Sequence, residues 1–525
     1  MELGKSVLGI EFGTTRIKAV LLDEKHRPLA SGVHRWENSF VDGIWTYPLS
    51  QVDEGLRACF ADLRRDVREK LGRELDTVGA IGVSAMMHGY LPFDKDGRQL
   101  AEFRTWRNTI TAEAANELTE LFSFNIPQRW CIAHLYQAIL NGEEHVKDIA
   151  QLTTLAGYVH WRLTGEKLVG TGEASGIFPL DSNTKDYDEE RISKFDALIA
   201  DRGYPWKLRE LLPRAVPAGM SGGVLTEEGA RYIDPEGILR PGAAVAPCEG
   251  DAGTGMVATN SVRAGTGNVS AGTSTFIMLV SDHDLGVHRE VGMVTTPDGL
   301  PVAMVHCINC TSDLNAWVQL LAEFASAIGA PQDMGELYTM LFKKALEASP
   351  DAGGLLSYNH FSGEDILDLP EGRPIFARAP GSSLSLANFM RCHLLSALST
   401  LRMGLDILYN EEQINVEKIY AHGGFFKTPV VGQSILSAAV NAPVSVMDSA
   451  GEGGAYGMAL LCAYMLWRDK GESLADYLDN KVFADARSVS LMASKAEVEG
   501  FNAFHKRYTK AFELERLAAA TLDAI

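Results

Sequence analysis

The chain has 525 residues, a net charge of −20 and a hydrophobic share of 46%. At a typical ~150 residues per domain, that length suggests roughly two to four domains with cores of their own. The acidic balance argues against a nucleic-acid backbone as partner, since such binders carry basic stripes, but it leaves phosphate ligands open, because a few backbone amides, one lysine or a bound metal can hold a phosphate.

In chain order, apolar runs at 7–12 and 17–22 predict a hairpin around Gly13-Thr14-Thr15. A third extended run covers 29–34. A helix is predicted from about Ser50, a candidate N-cap with Asp53 at N3. Val52, Leu56, Cys59, Phe60, Leu63, Val67 and Leu71 share one face of it, and Gly72 ends it. A buried strand is predicted at 78–83. Meandering strands, a helix and a further strand make an α/β class. Residues 90–250 hold helices and loops, and the Pro/Gly-rich "RPGAAVAPCEGD" at 240–251 marks a junction.

The opening pattern then returns. "GNVSAGTSTFIMLVS" at 267–281 is again strand, Gly-Thr-Ser, strand. Extended runs follow at 291–295 and 302–307, then a helix near Thr311 with Leu314, Trp317, Val318, Leu321 and Phe324 as its stripe. This predicts a duplicated fold in which each copy starts with a hydroxyl-rich glycine hairpin. Further on, a strand at 418–421 runs into Gly423-Gly424, with a helix from about Thr428 and Pro429 in its first turn. "SAGEGGAYGMALL" at 449–461 is a second glycine-rich helix start, suited equally to close packing through Gly453, Gly454 and Gly457 or to ligand contact. The tail from about 473 is expected to be mostly helical.

Seven scattered cysteines fit reduced thiols. Cys307-Ile-Asn-Cys310 lacks the second pair a metal site would want and is expected to be two buried thiols. No stretch approaches the ~20 apolar residues of a membrane span. "MELGKSVLGI" has no basic segment or cleavage site of a signal peptide, so the cytoplasm is the expected compartment, with no membrane partner.

A glycine turn lets a ligand approach the backbone, and exposed amides form an anion-binding nest. Thr14, Thr15, Thr273 and Ser274 add hydroxyls. Two such turns across a cleft could grip a polyphosphate from both sides, with an acid such as Glu11 holding a divalent cation. A single copy would read as a decorated turn; two equivalent copies favour phosphate. Asp251 opens a small-residue run and is either a helix N-cap or, facing a cleft, a proton acceptor for an attacking hydroxyl. Strand, Gly423-Gly424, helix suits a nucleotide, but without G-x-G-x-x-G a dinucleotide fold is not supported.

Taken together and in order, "GIEFGTT", "GVSAMMHGYLPFDKDG", "WRNT", "GDAGTGM", "NVSAGTS", "GGFFKTPVVGQ" and "GEGGAYGMALL" resemble the FGGY family of carbohydrate kinases, over about residues 6–465. The resemblance implies two ribonuclease-H-like, actin-like ATPase domains with a cleft between them, a sugar side at 1–253 and a nucleotide side at 254–525. It implies ATP and Mg²⁺, and transfer of the γ-phosphoryl to a sugar hydroxyl. Asp251 falls on the catalytic base. Gly13, Thr14 and Thr15 fall on the first phosphate loop, Gly272 and Thr273 on the second, and Gly423 and Gly424 on the adenosine side with Lys427 following. Met87, His88 and Gly89 resemble the sugar-facing Met-His-Gly of xylulose kinases, and Trp106 and Asn108 fall on a sugar-facing W-x-D. Glu11, with Asp251, falls on the metal side.

Three positions depart from the family. Glu11 and Asn108 stand where Asp is usual, and Met86 where Gln is expected. "GGFFKTPVVGQ" looks closer to ribulose- and rhamnulose-type kinases. The expected substrate is therefore a ketopentose, L-ribulose or D-xylulose. A polyol or sugar acid such as glycerol or gluconate is the alternative, and a non-catalytic ATP-binding sensor a further one. Expected partners are a small sugar and ATP; a homodimer is compatible with the chain.

Overall fold

A computed structural model describes residues 2–447, 453–486 and 488–522. The first sheet begins with β1 (Val7–Phe12), β2 (Arg16–Leu22) and β3 (Pro28–Arg35), an antiparallel meander. Helix α1 (Leu49–Leu71) covers β3 with its predicted apolar face, and Gly72 closes it in the left-handed conformation. Strand β4 (Ala80–Ala85) then lies parallel beside β1, and β5 (Ala244–Val245) and β6 (Glu249–Gly250) pair with β4. Helix α2 (Asp251–Ala258) leaves the end of β6.

The second sheet repeats this order. β7 (Thr266–Ala271) and β8 (Thr275–Val280) form its hairpin, and β9 (Gly292–Thr295) and β10 (Pro301–Cys307) extend it. After α3 (Ser312–Ala327) and the long α4 (Leu386–Asn410), strand β11 (Lys418–His422) pairs parallel with β7, as β4 does with β1. Helix α5 (Val431–Val440), β12 (Val444–Met447) and β13 (Ser488–Leu491) complete the sheet. The duplication read from the two hairpins thus extends to the parallel strand that follows each.

The halves are joined by α6 (Gly453–Trp467), which is apolar around its whole circumference and therefore buried. It packs on β1, β4 and α2 of the first half. Only glycines permit this approach: a Cβ on Gly9 would lie 2.0 Å from the Ala455 carbonyl oxygen, and one on Gly457 only 1.9 Å from that of Thr254. Gly457 therefore serves packing, one of the two roles the glycine-rich start suits; residues 449–452 of that run lie outside the described residues.

Several boundaries differ from expectation. Helix α1 starts after Pro48, whose fixed φ of −55° sets the entry, and Ser50 lies inside the first turn without a capping bond. The strand expected at 78–83 runs from Ala80 to Ala85, because pairing in step with Val7 to Phe12 sets its register. Helix α5 begins at Val431 instead of Thr428, because Val430 takes φ 74° and breaks the helical path. The tail includes strand β13 against β12, which its helical pattern did not announce. All seven cysteines are buried and unpaired. Among the described residues no helix is long and apolar enough to cross a membrane.

Candidate active site

Between the two sheets lies a cavity of about 430 Å³. Asp251, at its floor, is the first residue of α2; Gly250 is the N-cap, so the capping alternative for Asp251 does not hold. Its carboxylate accepts a hydrogen bond from the Met87 amide at 3.1 Å. Asp251 is open to the cavity solvent yet set deep in protein. That burial, with the like charge of Glu11, pushes its pKa up to about 6 against the pull of the Met87 amide. Such a carboxylate is ionised at neutral pH and is a better proton acceptor than an ordinary one.

Glu11, near the end of β1, faces the same cavity. Its Oε2 accepts from the Ala455 amide at 3.3 Å, at the start of α6, and burial raises its pKa while cross-strand Lys18 pulls it down. Thr14 lines the cavity and Thr15 is exposed beside it. The turn is tied down from behind: Trp36 Nε1 donates to the Gly13 carbonyl at 2.7 Å, and Tyr47 OH to that of Thr14 at 2.6 Å. The two rings stack with centroids 4.3 Å apart. No group of three or more metal-ligating side chains occurs among the described residues, so a closed cation cage is not formed. Two carboxylates on one cavity wall do fit Mg²⁺, which keeps several waters and takes one or two carboxylates plus phosphate oxygens.

In the second hairpin, Gly272 donates its amide to the Ser274 carbonyl at 2.9 Å. The Gly272 carbonyl accepts from Thr311 Oγ1 at 2.8 Å. Thr273 and Ser274 are exposed at the tip. Gly423 has φ 108° and abuts the Ala271 backbone, where a Cβ would come within 2.4 Å of its carbonyl oxygen; this places the glycine pair beside the second hairpin. Gly272, Thr273, Gly423, Gly424 and Lys427 lie outside the 430 Å³ cavity, on the second-domain side. Gly424 and Lys427 are exposed.

Of the predicted sugar-facing residues, Met87, His88 and Trp106 line the cavity. His88 has φ 73°, rare for a residue with a Cβ and a form of strain that clusters at ligand sites. Its Nδ1 lies 3.3 Å from the Gly176 carbonyl, and its ring stacks on Trp130. Burial, with the charge of Arg129, holds its pKa well below the usual value, so the ring is neutral. Gly89 is not part of the lining; with φ 103° and no room for a Cβ beside the Arg104 carbonyl, it makes the turn. Asn108 is buried at 2% exposure. Its Oδ1 accepts from the Trp45 amide at 2.8 Å, and its Nδ2 donates to the Trp45 and Thr105 carbonyls. Its amide thus holds the loop that presents Trp106 and does not reach the cavity.

Sequence reasoning passed over Arg129, His306 and His422, which also line the cavity. A charged residue in "NIPQRWCIAHL", just before an apolar helix, was the available signal for Arg129. It also passed over Glu173 and Glu249, two carboxylates buried behind Asp251. Glu249 accepts from the Glu173 amide at 2.9 Å and is pushed by burial to about 8.

The FGGY family of carbohydrate kinases, N-terminal domain, matches residues 6–251, and its C-terminal domain matches 267–466. A xylulose kinase of Haemophilus influenzae is 22% identical over 517 residues, covering 95% of this chain and 98% of that protein. A ribulokinase of Geobacillus thermodenitrificans is 23% identical over 561 residues, covering 96% and 94%. The crystal structure of a xylulose kinase from Rhodospirillum rubrum superposes with a TM-score of 0.79 at 19% identity, over 98% of this chain and 100% of that one. With both domain matches spanning most of its length, and with two α/β halves around a cleft, the chain belongs to the FGGY family of carbohydrate kinases, phosphotransferases with an alcohol group as acceptor.

Proposed function

We propose that this kinase transfers the γ-phosphoryl of ATP to a hydroxyl of a small open-chain sugar held between Asp251 and the Met87–His88 loop. The observation that carries the reading is Asp251 itself. Its carboxylate opens into the cavity between the two sheets, which Thr14 of the first hairpin also lines, and its pKa is raised to about 6. The substrate hydroxyl gives its proton to Asp251 as its oxygen bonds to the γ-phosphorus; the bond from that phosphorus to the bridging oxygen breaks, and ADP leaves. Thr14 and Thr15 meet the phosphates from the first hairpin, and Gly272 and Thr273 from the second. Gly423, Gly424 and Lys427 hold the nucleoside side on residues 254–525. Mg²⁺, when bound, offsets the charge on the phosphates, and Glu11 with Asp251 would hold it, directly or through its waters.

A ketopentose, L-ribulose or D-xylulose, is the first reading of the acceptor, supported by relatives named xylulose kinase and ribulokinase. A second reading, a sugar acid, is favoured by Arg129, which lines the cavity and has no ion pair among the described residues. A sensor without catalysis has no use for a proton acceptor aimed into the cleft. Coupled measurement of ADP release over ketopentoses, polyols and sugar acids tests the proposal: at least one must stimulate ATP turnover. Nucleotide binding with no stimulated turnover across the panel would leave the sensor reading instead.

A further inference from the structure

Arg129 lines the same cavity as Asp251, and its surroundings are unusual for an arginine. The backbone fixes it: its carbonyl accepts from the Gly89 amide at 3.3 Å. Nearby Asn125 Nδ2 donates to the Val291 carbonyl across the cleft at 2.9 Å. The guanidinium Nη2 comes 3.9 Å from where a Cβ on Gly292 would stand. The side chain is therefore clasped between the sugar-side loop and β9 and lines the cavity. Yet among the described residues it has no ion pair and no side-chain hydrogen bond. In a protein of net charge −20, a largely buried guanidinium normally finds a carboxylate.

The charged and titratable neighbours do not supply one. His88 and His306 both face Arg129, and burial together with its charge lowers their pKa values, so they add neutral nitrogens and no anion. Asp365 is the one acid whose field reaches Arg129; it is exposed and forms no ion pair with it. The cavity thus presents one guanidinium that has no ion pair among the described residues, beside two neutral imidazoles. Arginine's planar fork matches a carboxylate through two parallel N–H···O bonds.

The Asp251 carboxylate accepts from the Met87 amide, and the Arg129 carbonyl accepts from the Gly89 amide, so the loop 87–89 ties both residues to one cavity that both line. One small ligand in that cavity can meet the carboxylate and the guanidinium.

We infer that Arg129, with His88 and His306, binds a carboxylate of the acceptor, so that the substrate class is an aldonic acid whose hydroxyl-bearing end reaches Asp251. This rests on the kinase reading above and narrows its acceptor.

Calorimetric titration without nucleotide tests it, using tetronates, pentonates and hexonates beside the alditols of matching configuration. Wild type is expected to bind one aldonate at least ~10²-fold tighter than its alditol, and R129Q is expected to lose that preference, since removing one partner of a desolvated charge pair costs about that much. R129K, which keeps the charge but not the fork, is expected to fall between them; it and the wild-type preference alone keep the test decisive if R129Q does not fold. Failure of wild type to prefer any aldonate overturns the inference. So does equal turnover of a neutral ketose by wild type and R129Q, which would leave the kinase reading standing. Aldonate binding lost in R129Q, with no ATP turnover on any compound, would uphold the role of Arg129 and reject the kinase reading.

Discussion

The first hairpin turns over residues 13–16 and is preceded by Glu11; the second turns over 272–274 and has Ser270 at the matching place. Both turns close with a glycine amide donating to a carbonyl at 2.9 Å, Gly13 to Arg16 and Gly272 to Ser274. Both are braced from behind, the first by Trp36 and Tyr47, the second by Cys310 and Thr311. The shared backbone presents amides and hydroxyls, which suit phosphate. The difference lies in charge. Among the described residues the acids lining the cavity, Glu11 and Asp251, both belong to the first half, where the proposed cation and developing alkoxide would need them. Acids at the second hairpin would repel the phosphates proposed to bind there. One duplicated device thus carries two electrostatic tasks.

The largest expected effect comes from an acid that the first half brings to the cavity. D251N keeps the shape but cannot take the proton, so kcat should fall by ~10²–10⁴-fold with nucleotide affinity nearly unchanged. Near-normal turnover would remove Asp251 from the chemistry. Next is Glu11. E11Q keeps the bond to the Ala455 amide but removes the charge, and should raise the Mg²⁺ needed for half-maximal rate by roughly 10–100-fold. Because Glu11 raises the pKa of Asp251, the acid limb of kcat/KM, near pH 6 in wild type, should move to lower pH in E11Q. E11D should retain partial activity, its shorter arm standing on a backbone fitted to Glu. Superimposable Mg²⁺ curves for the three forms would reduce Glu11 to a helix-terminus contact.

Hydroxyl removal sharpens the contrast between the hairpins at smaller cost. T14V and T273V each lose one donor, worth roughly 1 kcal/mol. T273V should raise the KM for ATP several-fold, whereas T14V, inside the cavity beside Glu11, should act mainly on kcat. Equal effects from both would mean that the hairpins do the same work. The smallest effect concerns the buried support of the floor. Glu249 titrates at about 8 when folded, against roughly 4.3 unfolded. The native state therefore binds the extra proton between those values, and stability falls as pH rises through that window. E249Q should flatten this decline in Tm between about pH 5 and about 8; an unchanged slope would show that Glu249 is not the source.

The hairpins, α1 and the succession of strands and helix in each half were legible because apolar runs around glycine and one apolar helix stripe are local signals. The path of α6 was not. An all-apolar helix does not say which sheet covers it, and only contacts such as Gly9 with Ala455 decide that. In the site, Asp251, His88 and Trp106 were found by motif, and all three line one cavity. Asn108 was assigned by the same means, but its amide is consumed by the Trp45 and Thr105 backbone, a partnership between segments far apart in sequence. Arg129 carried no motif. Its meaning comes from the absence of a partner among the described residues, which only three dimensions reveal.

The measurement that bears most directly on the shared cleft is ³¹P NMR of wild type and D251N with ATP, Mg²⁺ and each candidate acceptor. Wild type should yield ADP and a phosphomonoester in equal amounts with at least one acceptor, and D251N should yield neither. Inorganic phosphate in place of the monoester, or monoester formed equally by both proteins, would contradict phosphoryl transfer through Asp251.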